Sequence, residues 1–151
     1  MADYKTEIFE VTNNPQYTYY KLYVDGKCAF DDFLDEIKRS VADMKSMKAI
    51  IAYMDSLSAQ LLPSTIYNYI ESSDRTDLYE FKKNNIRVYV IDQRPDIYIV
   101  MGGYKKDQKK KDIPRFIRKT KDFPKKEKAY DKRRCIKITR VLDGDDSDCS
   151  L

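Results

Sequence analysis

From Leu78 to Asp112 the chain gathers the residue types that grip phosphate. Lys82, Lys83 and Arg87 lie near its start, and Tyr104-Lys105-Lys106-Asp107-Gln108-Lys109-Lys110-Lys111-Asp112 closes it. Lysine meets a phosphate as a point charge and arginine as a two-pronged fork, and a tyrosine ring can stack on a base. Such a set suits a polyanion, and RNA above others. The plainer alternative for any charge run is a solvated lysine-rich face. Three short β-patterned runs, Leu78–Lys83, Ile86–Asp92 and Ile97–Tyr104, carry these side chains. Turn signals at Asn84-Asn85 and Arg94-Pro95-Asp96 separate them. The third run empties through Gly102-Gly103 into the cationic loop, so the pattern predicts a twisted antiparallel meander.

Charge is spread unevenly. Residues 79–140 hold 21 basic and 8 acidic side chains, net +13, whereas residues 1–78 hold 8 and 13. Residues 141–151 add four aspartates and no base. A block this basic concentrates phosphate polymers and speeds their encounter. The chain has no histidine, the commonest acid–base group and metal ligand near neutral pH. A zinc centre and a Ser-His-Asp triad are therefore not expected, and no cofactor is implied. Cys28, Cys135 and Cys149 stand far apart, without metal-like or redox spacing. They read as reduced thiols of a cytoplasmic protein. No apolar run approaches a membrane span, and the opening MADYKTEIFE lacks the apolar core of a signal peptide.

The elements that must position the basic meander follow from periodicity. Glu7–Val11 and Tyr17–Val24 read as strands joined by a Thr12-Asn13-Asn14-Pro15 turn, with Tyr17, Tyr19, Tyr20 and Tyr23 packing across the sheet. Phe30, Phe33, Leu34, Ile37, Val41 and Met44 mark one face of an amphipathic helix. Ser46 can cap a second helix with its stripe at Met47, Ile50, Ile51, Met54, Leu57 and Leu61, ended by Pro63. Residues 64–77 are ambiguous in pattern: a helical turn over Ser64–Ile70 is one fit, and Glu71–Asp77 reads as polar loop. Asp112 can cap a last helix carrying Ile113, Phe116, Ile117 and Phe123, with Pro114 in its first turn. The chain divides into a domain over residues 1–124 and an extension over residues 125–151, basic then acidic and partly disordered.

The order strand, helix, helix, three strands, basic loop, helix resembles the RelE/HigB/ParE superfamily of toxins from type II toxin–antitoxin modules. Leu78-Tyr79-Glu80-Phe81-Lys82 is similar to that family's Leu-Tyr-Glu-Leu-Arg strand, and Ile86-Arg87-Val88-Tyr89 to its Tyr-Arg-hydrophobic-Tyr/Phe strand. Gly102-Gly103-Tyr104-Lys105, followed by Gln108 and Asp112-Ile113, resembles the Gly-Gly-x-Lys-x-x-Gln-x-x-Asp-Ile signature of the addiction-module killer branch, with one extra loop residue. The resemblance spans about residues 17–123. It implies an α+β fold, a RelE-like twisted antiparallel sheet with two N-terminal helices on one face and a C-terminal helix.

The resemblance also implies ribosome-dependent cleavage of mRNA. The ribose 2′-OH attacks the adjacent phosphate in line, which requires a proton acceptor, positive charge at the phosphorane and a proton for the leaving 5′-oxygen. Carried over by motif position, Arg87 is the phosphate clamp and Lys82 a second phosphate contact. Lys105 orients RNA or moves a proton, Tyr104 stacks or donates a proton, and Tyr89 completes the catalytic set. A lysine acts as base only if burial or neighbouring cations lower its pKa. Lys83, Lys106, Lys109, Lys110, Arg115 and Arg118 are the expected RNA contacts, while Gln108 and Asp112 organise the loop. The implied partners are a cognate antitoxin and mRNA on the ribosome, with a homodimer or toxin–antitoxin hetero-oligomer as assembly. Two other readings use the same scaffold: a ParE-like inhibitor of DNA gyrase, and a nucleic-acid or ribosome-binding protein without catalysis.

Overall fold

The computed structural model describes residues 2–58, 62–73 and 76–124. The extension after Pro124, with Cys135 and Cys149, lies outside the described residues, as does Leu61 of the second helix's expected stripe. The chain runs β1 (Tyr4–Ile8), β2 (Thr18–Val24), α1 (Ala29–Ile37), α2 (Val41–Ser56), β3 (Tyr67–Ser73), β4 (Thr76–Lys83), β5 (Ile86–Gln93), β6 (Asp96–Tyr104) and α3 (Ile113–Thr120). A 3₁₀ turn at Lys105–Asp107 and a π-helical turn at Gln108–Asp112 lead into α3. The fold is α+β, with one six-stranded sheet in the order β1-β2-β6-β5-β4-β3. All neighbours are antiparallel except β2 and β6, which are parallel. The sheet is thus mixed rather than wholly antiparallel. The chain leaves β2 through two helices before returning, and a parallel neighbour needs a long crossover of this kind.

Both faces of the sheet are covered. On one, Phe30, Phe33 and Ile37 of α1 and Met47, Ile50 and Met54 of α2 pack on Tyr19, Phe81, Val88, Val90, Ile97 and Ile99. On the other, Phe116 of α3 packs on Leu22, Leu78, Tyr89, Ile91, Val100 and Met101. β5 is central and buried at every position, which is why Ile86–Ile91 is apolar at all but Arg87 and Tyr89. In β6 the ladder slips between Tyr89↔Met101 and Val90↔Ile99, leaving Val100 as the extra residue of a bulge. Ile97 and Ile99 therefore face α1 and α2, whereas Val100 and Met101 both face α3. Beyond the bulge Gly102 sits under the Phe33 ring and Gly103 under the Asp112 carboxylate. A methyl group at either would overlap those side chains.

Several expected boundaries move. The first helix ends at Ile37, and Ser40, not Ser46, caps the second, its hydroxyl accepting from the Asp43 amide at 3.1 Å. Val41 continues the helical spacing in sequence yet is 87% exposed, and Ser46 is buried inside α2. Tyr67–Ser73 is a strand, not a helical turn and loop. Tyr67 and Tyr69 alternate with Asn68 and lie against Tyr79, Tyr67 stacked at 4.4 Å. The first strand is Tyr4–Ile8 and not Glu7–Val11. Residues after it turn inward: Phe9 joins the core, and the Asn14 amide donates to the Met54 and Leu57 carbonyls at the end of α2. Asp112 does not cap α3 with its side chain, because it already has helical dihedrals and continues the π turn. Among the described residues, no helix is long and apolar enough to cross a membrane.

Candidate nucleic-acid interface

The site is built on the β4–β5 hairpin. Asn84 sits at its turn with φ of +51°, in the left-handed region that asparagine tolerates. Across the hairpin Lys82 pairs with Arg87 and Lys83 with Ile86. Arg87 is buried, and its Nη1 donates to the Asn84 and Ile86 carbonyls, both at 2.9 Å. These two bonds fix the guanidinium. Its Nε is buried and has no hydrogen-bond partner. Among the described residues no carboxylate forms an ion pair with Arg87 or Lys82. A buried cation without a counter-charge is costly, and an anionic ligand would supply one.

A cleft of about 400 Å³ opens at these strand ends, lined by Tyr53, Thr65, Ile66, Lys82, Lys83, Asn84 and Arg87. Three of the seven are cations and none is acidic. A second, largely apolar groove that shares Lys83 and Asn84 with the cleft runs past Ala42, Asp43 and Ala49 of α2. The Asn84 amide donates to the Ser46 hydroxyl there at 3.0 Å.

The lysine loop is tied to the same end. The Lys105 amide donates to the Asn85 carbonyl at 2.8 Å, and the Gln108 amide donates to Glu80 Oε1 at 2.6 Å. Asn68 donates to the other Glu80 oxygen at 3.0 Å. Glu80 is 1% exposed, so a buried carboxylate staples the loop to β4 and β3. Lys105, Lys106, Lys109, Lys110 and Lys111 are exposed, as are Arg115 and Arg118 on α3. Lys83 is half-buried at the rim shared by the two hollows.

The two tyrosines part company. Tyr104 lies on the α1 side, its ring edge-on to Phe33 at 5.2 Å and its face 5.9 Å from the Lys106 ammonium. Burial, with a hydrogen bond to Glu36, pushes its hydroxyl up to about 12. Tyr89 lies on the opposite face under Phe116, ring to ring at 5.2 Å. Its hydroxyl is buried without a partner. Burial, then the Glu80 and Asp112 charges, raise its pKa far above the ordinary value. Burial first and Asp107 second also raise Asp112.

The structure therefore brings Lys82, Lys83 and Arg87 together, and ties the loop of Lys105 and Lys106 beside them. It does not bring Tyr89 or Tyr104 to the cleft. Arg87 does share a strand face with Tyr89 and Ile91, as alternation predicts. Tyr53, Thr65 and Ile66 were not legible as cleft residues, because α2 and the segment before β3 meet the hairpin only in three dimensions. Glu80 did carry a signal, an acid between Tyr79 and Phe81 in a strand pattern. Among the described residues no three His, Cys, Asp or Glu side chains group to hold a metal ion. No protein-family model, no curated protein and no solved structure matches the chain.

Proposed function

We propose that this protein binds RNA through the Lys82–Lys83–Arg87 cleft and acts as the toxin of a type II toxin–antitoxin module, cleaving mRNA on the ribosome in the cytoplasm. The observation that carries the reading is the uncompensated charge of the cleft: three cations, one of them buried, with no acidic side chain among the lining residues. With the two edge strands β1 and β3 set aside, the remaining order β2, α1, α2, β4, β5, β6, basic turn and α3 supports a RelE-like arrangement. In the reaction, Arg87 clamps the scissile phosphate. Lys82 or Lys105 takes the proton of the attacking 2′-OH, and a second cationic group returns one to the leaving 5′-oxygen. The products are a 2′,3′-cyclic phosphate and a free 5′-hydroxyl.

The test is purified protein added to ribosomes stalled on an end-labelled mRNA. Discrete cleavage at the ribosomal A site, lost in Arg87→Lys, is the expected result. That variant keeps the charge and loses the fork. Losing one preorganised hydrogen-bond donor at the transition state typically costs about 100–1000-fold in rate. Intact mRNA would overturn the nuclease.

A second reading, RNA binding without cleavage, is favoured by one observation. Tyr89 is buried under α3 and Tyr104 lies on the α1 side, so neither phenol lines the cleft. In that case translation stops while mRNA stays whole. If DNA synthesis falls before protein synthesis on induction, a gyrase-directed function replaces both.

A further inference from the structure

We infer that Tyr53 is a base-stacking platform that makes the cationic cleft a site for single-stranded RNA and not for duplex. This rests on the RNA-binding reading above. Tyr53 comes from α2, away from the hairpin that supplies the cations, and lines the same cleft as Lys82, Lys83 and Arg87. The inward stripe of α2 is complete without it: Met47, Ile50, Met54 and, just past the helix, Leu57 are buried at successive helical spacings. Tyr53 flanks that stripe and is only half-buried. Ile66 adds an aliphatic surface and Thr65 an exposed hydroxyl to the cleft lining.

The cleft thus combines charge for a phosphate with an aromatic ring for the base attached to it. At about 400 Å³ it lies within the roughly 300–1,000 Å³ range of pockets that enclose small ligands. An unstacked base can enter such a hollow, whereas the bases of an A-form duplex keep their faces in the stack and show only groove edges. The lysines alone would hold both forms through phosphate charge. The aromatic ring gives the preference.

The experiment measures binding of the full chain to a fluorescent single-stranded RNA oligonucleotide, and to the duplex of the same sequence, by anisotropy over a salt series. The wild type prefers the single strand. Tyr53→Leu, which keeps an apolar side chain against the core, weakens single-strand binding by roughly 5- to 150-fold, the range of one base–aromatic stack. It leaves duplex binding and the salt slope unchanged. Tyr53→Phe binds as the wild type does. Thermal midpoints of both variants accompany the titrations, and Tyr53→Phe carries the ring with less change to packing. Equal affinity of wild type for single strand and duplex, or Tyr53→Leu binding like wild type, overturns the inference and leaves the RNA-binding reading standing. Failure of the wild type to bind any RNA at low salt removes both.

Discussion

Lys82 and Arg87 face each other directly across the β4–β5 ladder, two cations forming one cross-strand pair. Like charges in that position repel and weaken a sheet by about 0.2–1 kcal/mol. Under the RNA-binding reading, a bound phosphate would offset that repulsion. Lys82→Gln should raise stability within that range in urea denaturation. The same variant should bind single-stranded RNA more weakly, with a salt slope flatter by about 0.7, the value for one lost phosphate contact. Lower stability with unchanged binding would remove Lys82 from the interface.

The Glu80–Gln108 bond makes the lysine loop depend on a buried carboxylate. Gln108→Leu removes the donor and leaves Glu80 Oε1 buried and unmatched, at a cost of about 1–3 kcal/mol. Hydrogen exchange should then speed up at residues 105–111 before it does in β5. Binding should weaken with little change in salt slope, because the charges remain and only their arrangement loosens. Slow exchange in the loop of the variant would show that other contacts hold it.

Gly102 and Gly103 are required by what lies above them. Gly102→Ala pushes a methyl into the Phe33 ring and Gly103→Ala into the Asp112 carboxylate. Overpacking of this kind costs about 1–3 kcal/mol. Phe33→Leu combined with Gly102→Ala should recover part of the loss, whereas Phe33→Leu combined with Gly103→Ala should not, since the two glycines serve opposite faces. Thermal melts of the four variants decide it.

How much of this could be read from the sequence depended on whether the signal was local. The meander strands were legible because Leu78–Tyr104 alternates between clear turn signals. The helix boundary was misplaced because Val41 and Met44 prolong the spacing of α1, while the Ser40 cap that ends it is a single polar residue. β3 was hidden because Asn68, Ser72 and Ser73 dilute its pattern. An edge strand pairs on one side only and needs less apolar surface. The cations of the site were evident from composition, but their relation to Tyr53 is tertiary and carries no periodicity. Burial of Tyr89 was equally invisible, because alternation gives a face and not what covers it.

Asp112 should leave a pH signature. Its carboxyl is raised above the ordinary 3.8 by burial and by Asp107. The folded state therefore holds its proton more tightly than the unfolded state does. Stability from this group is highest below pH 3.8. It falls as pH rises from there through the folded pKa and stays low above it. Asp112→Asn should cancel that decline, so the variant gains on the wild type as pH rises from about 3.8 towards neutrality. Parallel urea denaturations across pH 3 to 7 measure the difference, and a constant gap across the range would refute the assignment.

The bulge at Val100 acts as a phase shifter for everything after it. Before it, odd-numbered residues of β6 face α1 and α2; after it, even-numbered residues do. Were the same residues paired in unbroken alternation, without the bulge, Gly103 would meet Phe33, Tyr104 would point under α3, and the lysine loop would leave the sheet from the wrong side. Which surface of the molecule turns electropositive is thus decided by a count of one residue within β6, upstream of any lysine in the loop.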